Sequence, residues 1–429
     1  MAEQLYFSRD SKMYIEFDSY VWEVPVLDGF SFSQATNSSE ITLNEMESSA
    51  GVSRRGRRAF NDSLAPGEWS FSTYVRPFVA AGAAQGTGSA DTAAEVHAVE
   101  EVLWALMMGA DNYASAAFDR GGSAVVTPGG SSSSFVFTQS NKSTLGTFNI
   151  YFVLGDANRK VMKLDACTVN EASVDFDIDG IATINWSGNS SNVVDFSGST
   201  KEQANLPDAA DSPAQTADGT AYAVGDVWLD SNDGHRLYVM TNVGDGTEAA
   251  TAYVNEAILD TTNFIRNRLT VLTVAPTSTD PDGDSTAELQ SSYNLTLTGG
   301  NVTFSNNNTY ITPEELGIVN VPIGHVTGTR AVSGSLTCYL TRDTVNANAS
   351  ADFFEDLRSI TNVVTNSFAL TFKIGGASAT PRLEISMPTC HVEIPTHSIE
   401  DVISLETNFM ALPSTIDGTN EATLTYHAS

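Results

Sequence analysis

Four stretches in the first half of the chain recur, in the same order, in the second. Ile41-Thr42-Leu43-Asn44-Glu45-Met46 is echoed by Ile311-Thr312-Pro313-Glu314-Glu315-Leu316, and the segment 68–75 by 333–340. Phe148-Asn149-Ile150-Tyr151-Phe152 lines up with Phe368-Ala369-Leu370-Thr371-Phe372, and the run from Cys167 to Trp186 with that from Cys390 to Phe409. The offsets are 270, 265, 220 and 223 residues, so spacing shifts in steps while order is kept. A duplication looks like this after insertions, and a large one falls between Met107 and Thr147. A module present twice lets one subunit occupy two equivalent positions in a symmetric assembly.

Charge narrows the partners. The 429 residues include 21 Lys and Arg against 52 Asp and Glu, a net charge of −31. A chain this acidic repels phosphate backbones and anionic membrane surfaces, which excludes conventional nucleic-acid binding. The three cysteines, Cys167, Cys338 and Cys390, form no metal or redox spacing, and an odd count argues for free thiols in a reducing compartment. Cys167 and Cys390 occupy matching places in the two copies, as small core residues would. No basic, apolar-cored leader opens the chain, and the apolar run 102–110 is too short to span a bilayer.

Period-two alternation dominates the pattern. Val174, Phe176 and Ile178 point one way, while Asp175, Asp177 and Asp179 point the other, predicting a strand with one wet face. Trp69, Phe71 and Thr73, and Phe368, Leu370 and Phe372, alternate likewise. Helical spacing predicts one helix per copy, over 92–108 (Val96, Val99, Leu103, Leu106, Met107) and over 350–360 (Phe353, Phe354, Leu357). Between the copies, Asp208-Ala209-Ala210-Asp211-Ser212-Pro213 reads as a linker, followed by two short strands around Asn232-Asp233-Gly234. The expected division is a first domain over 1–200, a linker with a small β module over 201–258, and a second domain over 259–429. The fold class is mainly β: two tandem β-sandwich or barrel-like domains, each with one flanking helix, plus the small inserted β module.

Chemistry-bearing motifs are few. Asp280, Asp282 and Asp284 alternate like a calcium loop, but Gly283 is misplaced and Ser291 stands where the bidentate Glu belongs, so they read as a solvated acidic turn. The histidines are scattered, and Glu100-Glu101 and Glu314-Glu315 read as ordinary helix or turn carboxylates. No catalytic, cofactor or metal motif is present in the sequence, so an enzyme is not expected and no cofactor is implied. Four of the 21 cationic residues, Arg54, Arg55, Arg57 and Arg58, crowd into five positions. A solvated loop and a nucleic-acid patch are possible readings; a loop that docks on the acidic surface of another copy fits best. Tyr222, Trp228 and Tyr238 are candidate surface aromatics of the middle module, whose Y-x-x-G-D-x-W pattern resembles small carbohydrate-binding modules. A module this small also needs such rings as its core, and that reading is favoured.

Laid side by side, the copies resemble major tail tube proteins of tailed bacteriophages. The residues that carry this are 22–32, 68–77 and 169–188 in the first copy, and 301–316, 328–335 and 409–426 in the second. The resemblance implies β-sandwich domains with one helix, six of which close into a ring whose inner strands join into a barrel, with rings stacking through a long loop. Three duplicated chains would supply six domains, giving a homotrimer with pseudo-sixfold symmetry and an acidic channel for DNA passage. Asp175, Asp177 and Asp179 become candidate lumen carboxylates, the arginine loop a candidate inter-ring contact, and the middle module, over 214–250, a part expected to project from the tube's outer surface and to be dispensable for tube formation. Partners implied are further copies of the chain, then tail terminator, tape measure and baseplate proteins, with DNA only in transit and no membrane. The location implied is the virion tail, after assembly in the host cytoplasm. Two other classes share this composition: another virion component (capsid decoration or baseplate hub) and a glycan-binding adhesin.

Overall fold

The structure is a computed structural model that describes all residues except 1–4, 42–50, 52–55, 81–93, 115–116, 139–143, 204–222, 232–233, 243–248, 255–262, 281–285, 288, 317, 360–367, 379, 400 and 429. Its first half opens with a hairpin of β1 (Ser11–Phe17) and β2 (Tyr20–Glu23), then a longer one of β3 (Ser31–Glu40) and β4 (Ala59–Tyr74). Helix α1 (Glu101–Met107) follows, then β5 (Phe148–Leu154), β6 (Lys160–Asp177), β7 (Thr183–Ser190) and β8 (Asn192–Asp195). One sheet has the order β3-β4-β7-β6 and the other β2-β1-β5-β6-β8. Strand β6 belongs to both. Its start pairs with β5 and β8, and from Thr168 onward it pairs with β7. The change of sheet comes just past Ala166, whose φ of 47° and a register shift opposite Phe148/Ile150 bend the strand.

After β9 (Val227–Asp230) and β10 (Arg236–Asn242), the second half repeats this ladder. It consists of β11 (Val271–Pro276), β12 (Leu297–Ser305), β13 (Ala331–Tyr339), α2 (Ser350–Ser359), β14 (Phe368–Ile374), β15 (Arg382–Val392), β16 (Ser404–Ala411) and β17 (Thr423–His427). Strands β12-β13-β16-β15 pair in the order of β3-β4-β7-β6, and β11-β14-β15-β17 in that of β1-β5-β6-β8. The likeness extends to irregularities. Cys167 lies opposite Phe148 beside a register shift, and Cys390 lies opposite Phe368 beside another. Each thiol is buried and donates to the carbonyl three residues earlier, Leu164 or Met387. Burial raises both thiol pKa values, that of Cys390 to about 12, so neither is a ready nucleophile.

The halves interlock. Strand β6 of the first pairs along its far edge with β12 of the second, from Glu171↔Ser305 to Asp177↔Gly299. The strand Ser133–Val136, inside the first half's insertion, pairs with β17 at the other end of the chain. One continuous apolar core runs through both halves, including Trp69, Trp104, Trp186, Phe304, Phe372 and Tyr426. Helix α1 sits at the junction: Trp104 meets Trp186 edge-on at 4.8 Å and Phe304 at 5.2 Å. Asn306, from the second half, donates to the Met107 carbonyl and satisfies the helix end.

Two expectations change. The helix expected over 92–108 covers only Glu101–Met107, because Val96–Ala98 instead pairs with Pro77–Val79 as a short strand. The apolar spacing of Val96 and Val99 suits a fully buried strand as well as a helix. The second helix runs Ser350–Ser359, with Phe353 packed between Tyr293 and Phe368. The middle segment forms its own four-stranded sheet, yet it lies flat against the first half rather than projecting. Val227, Leu229, Leu237 and Tyr238 share a buried cluster with Tyr14, Val21, Tyr151 and Val161 of β1, β2, β5 and β6.

Candidate functional surface

The sheet β3-β4-β7-β6-β12-β13-β16 buries one face and wets the other, as alternation requires. On the wet face stand Ser33, Glu68, Ser70 and Ser72, then Asn185 and Ser187, Glu171, Ser173, Asp175 and Asp177, and across the junction Asn301, Thr303 and Ser335. Strands β3, β4, β7, β12, β13 and β16, and β6 from Thr168 onward, contain no lysine or arginine. The face is a field of hydroxyls, amides and carboxylates.

Hydrogen bonds tie its side chains together. Ser72 donates to Asn185 (2.6 Å), Asn185 to Asp175 (2.5 Å), Ser173 to Asp175 (2.9 Å) and Thr303 to Ser173 (3.2 Å), a chain that crosses from one half to the other. Such a surface satisfies its own donors and offers carboxylates, not cations, to a polyanion. Asp175 and Asp177 therefore lie where alternation predicts. Asp179 does not: β6 ends at Asp177, and Asp179 lies in the following turn, 3.8 Å from Arg268.

Two strand edges at the ends of this sheet have no partner among the described residues. One is the outer edge of β3, which pairs only with β4. The other runs along the end of β15 and the strand Thr396–Ser398, both of which pair inward with β16. In the repeated ladder these positions correspond to β12 and the second part of β6, the two strands that pair across the junction.

The β3/β4 hairpin outruns the sheet. From Thr36 to Glu40, and from Ala59 to Asp62 opposite, every side chain is exposed. At its root it is braced by the second half, where Asn320 accepts from the Leu64 backbone N–H at 2.8 Å. Arg54 and Arg55 lie outside the described residues. Arg57 and Arg58 lie at the hairpin's end, where Arg57 makes a bidentate pair with Glu40 of the opposite strand, which lowers the Glu40 pKa. Part of the basic loop's charge is thus answered within its own hairpin.

The remaining candidates resolve as follows. Trp228 and Tyr238 are buried, at 0% and 2% exposure, as the favoured core reading has it and not as surface aromatics: Tyr238 packs against β1, β2 and β5, and Trp228 against Met240 and Ala250 of its own module. Tyr222 lies outside the described residues, as do Asp282 and Asp284. His397 packs edge-on against Phe354 at 4.9 Å. Among the described residues no three His, Cys, Asp or Glu converge to hold a metal, and no helix is long and apolar enough to cross a membrane.

Glu100 and Glu101 are not ordinary surface carboxylates. Both are buried: Glu101 contacts His97 Nδ1 at 2.9 Å, and Glu100 accepts from the Tyr426 hydroxyl at 2.8 Å and the Arg76 backbone N–H at 3.2 Å. Tyr426 in turn accepts from the Trp104 indole at 2.7 Å. Burial raises the Glu100 pKa from 4.5 to about 7, against the opposing pull of those hydrogen bonds. The group is a polar rivet between α1 and the last strand. Sequence could not mark it, since Tyr426 is 326 residues away.

Taken together, these features define a mainly β sandwich protein with one acid-and-amide face and two strand edges that are open among the described residues. No protein-family profile matches the chain. It is 28% identical over 406 residues, 94% of its own length and 70% of the relative's, to the tail tube protein pb6 of Escherichia phage T5. The likeness spans nearly the whole chain, and the relative is a tail tube protein of a tailed phage.

Proposed function

We propose that three copies of this chain close into a ring of six similar domains, and that stacked rings form the tail tube. The observation that carries this is the β6–β12 ladder, which joins the two halves edge to edge. If the halves are copies of one domain, the same ladder is available between chains: the end of β15 with Thr396–Ser398 of one chain would pair with β3 of the next. Both edges are open, and pairing them removes the exposed backbone that would otherwise invite irregular association. Three chains then have no edge left.

The wet face turns inward in this arrangement and lines the channel. Its carboxylates repel DNA phosphates, and its hydroxyls and amides are already engaged with one another, so DNA slides through without a cationic foothold. The role is structural rather than enzymatic. The tube belongs to the virion, with DNA in transit and tail terminator, tape measure and baseplate proteins at its ends. The likeness to tail tube protein pb6 supports the tube, and the ladder supports the number of chains. Burial of Trp228 and Tyr238 removes two of the three candidate stacking rings from a glycan-binding role. Electron microscopy of the purified protein tests the reading: hollow tubes or six-lobed rings are expected, and a protein that stays monomeric at every concentration and salt would contradict it.

A further inference from the structure

The end of β6 and the turn that follows it, Asp175-Phe176-Asp177-Ile178-Asp179-Gly180, have the D-x-D-x-D-G order that opens a calcium loop. The pattern alone carries no site. Trp186, a core residue, stands at the twelfth position, where such loops place a bidentate Glu. The fold brings in a different oxygen. The segment entering the second half runs back along this turn: the Ala182 N–H donates to the Ile265 carbonyl (2.8 Å), Ile181 bridges to Arg266, and the Asn267 N–H donates to the Gly180 carbonyl (3.2 Å).

Asn267 thereby lines one recess with Asp175, Asp177, Asp179, Gly299 and Gly300. It is only 6% exposed, and its Oδ1 is buried with no hydrogen-bond donor. An unmatched buried amide oxygen is costly, and each one in a folded protein calls for an explanation. Asp177 and Asn267 converge over Gly180, where a Cβ would lie 3.6 Å from Asp177 Oδ1 and 3.9 Å from Asn267 Nδ2. Rotation of the amide exchanges its nitrogen for its oxygen. Gly180, at a φ of 135°, puts no side chain into that space.

The geometry points to a divalent-cation site of calcium size, formed by the carboxylates of Asp177 and Asp179 and the Asn267 amide oxygen. Water completes the six to eight oxygens that calcium takes. Asp175 accepts from Ser173 and Asn185, so it adds charge to the site rather than a ligand. Arg268 lies 3.8 Å from Asp179, but the two side chains are 74% and 86% exposed, and so exposed a pair yields readily to an ion. The bound ion ties the turn after β6, in the first half, to the entry of the second, beside the β6–β12 ladder. Two carboxylates and one amide make a weak site, with a Kd of about 0.1–1 mM.

Calorimetric titration of calcium into the full chain, stripped of metal with EDTA and kept at physiological salt, tests this. One saturable site per chain is expected in the wild type. Asp177→Asn and Asn267→Ala are each expected to weaken it at least tenfold. Asp401→Asn removes the same charge from an exposed position outside the recess and is expected to change nothing, which separates a site from diffuse attraction to an acidic surface. Equal affinity in Asp177→Asn and Asp401→Asn, or no saturable step in the wild type, would overturn the inference. Should Asn267→Ala misfold, Asp179→Asn in the exposed turn replaces it with the same expected loss, and wild-type affinity there counts against the site. The site lies within one chain, so its outcome stands apart from whether the protein forms rings or tubes.

Discussion

Glu100 is the residue whose chemistry departs furthest from its ordinary range. A carboxyl with a folded pKa near 7 and an unfolded one near 4.5 binds its proton more tightly in the native state. Its contribution is therefore full below about pH 4.5 and is lost as pH rises through about 7. The shift is worth at most about 3 kcal/mol. Glu100→Gln keeps an acceptor for Tyr426 and removes the titration. The variant is expected to match the wild type near pH 4.5 and to be more stable at pH 8, seen as a higher thermal midpoint; equal pH profiles would contradict this. At this scale, alternation alone placed Asp175 and Asp177 on the wet face. It missed Asp179, because strand ends are set by turn geometry, and it missed Glu100, because burial there depends on a strand from the other end of the chain.

Elements were legible where their pattern was long. Strands such as β6 and β14 alternate over enough residues to declare both type and face. The short run around Val96 did not, and its helical spacing was overridden by pairing with Pro77–Val79. The middle segment illustrates the same limit: its strands were readable, but not the surface they cover. Removing residues 223–254 would expose Tyr14, Val21, Tyr151 and Val161, each worth roughly 1.5–3 kcal/mol of burial for side chains of this size. The deletion is thus expected to lower the thermal midpoint sharply and to cause aggregation, where the sequence alone suggested a dispensable appendage. An unchanged midpoint would show that the sheet is only loosely attached. The basic hairpin is the opposite case. Arg57 and Arg58 are exposed, and replacing Arg54, Arg55, Arg57 and Arg58 with Ser is expected to leave the thermal midpoint unchanged while tubes shorten. The effect should be largest at low salt, where exposed ion pairs count most. Tubes of normal length at low salt would leave the arginines as a solvated loop.

The whole molecule is more unified than a tandem of two domains. The first half's insertion pairs with the last strand, Asn306 caps the first half's helix, and one core spans both. Sequence matches revealed the likeness of the halves but not their interlock, since pairing between distant edges leaves no local signature. The interlock fixes the angle between the halves, and that angle is what a closed ring needs from each chain. The most direct measurement is the symmetry of an assembled tube by cryo-electron microscopy. Threefold rings of three chains and six lobes are expected, with the polar face inward and Thr396–Ser398 of one chain paired to β3 of the next. Rings of six chains, or a channel lined by any other face, would contradict the account.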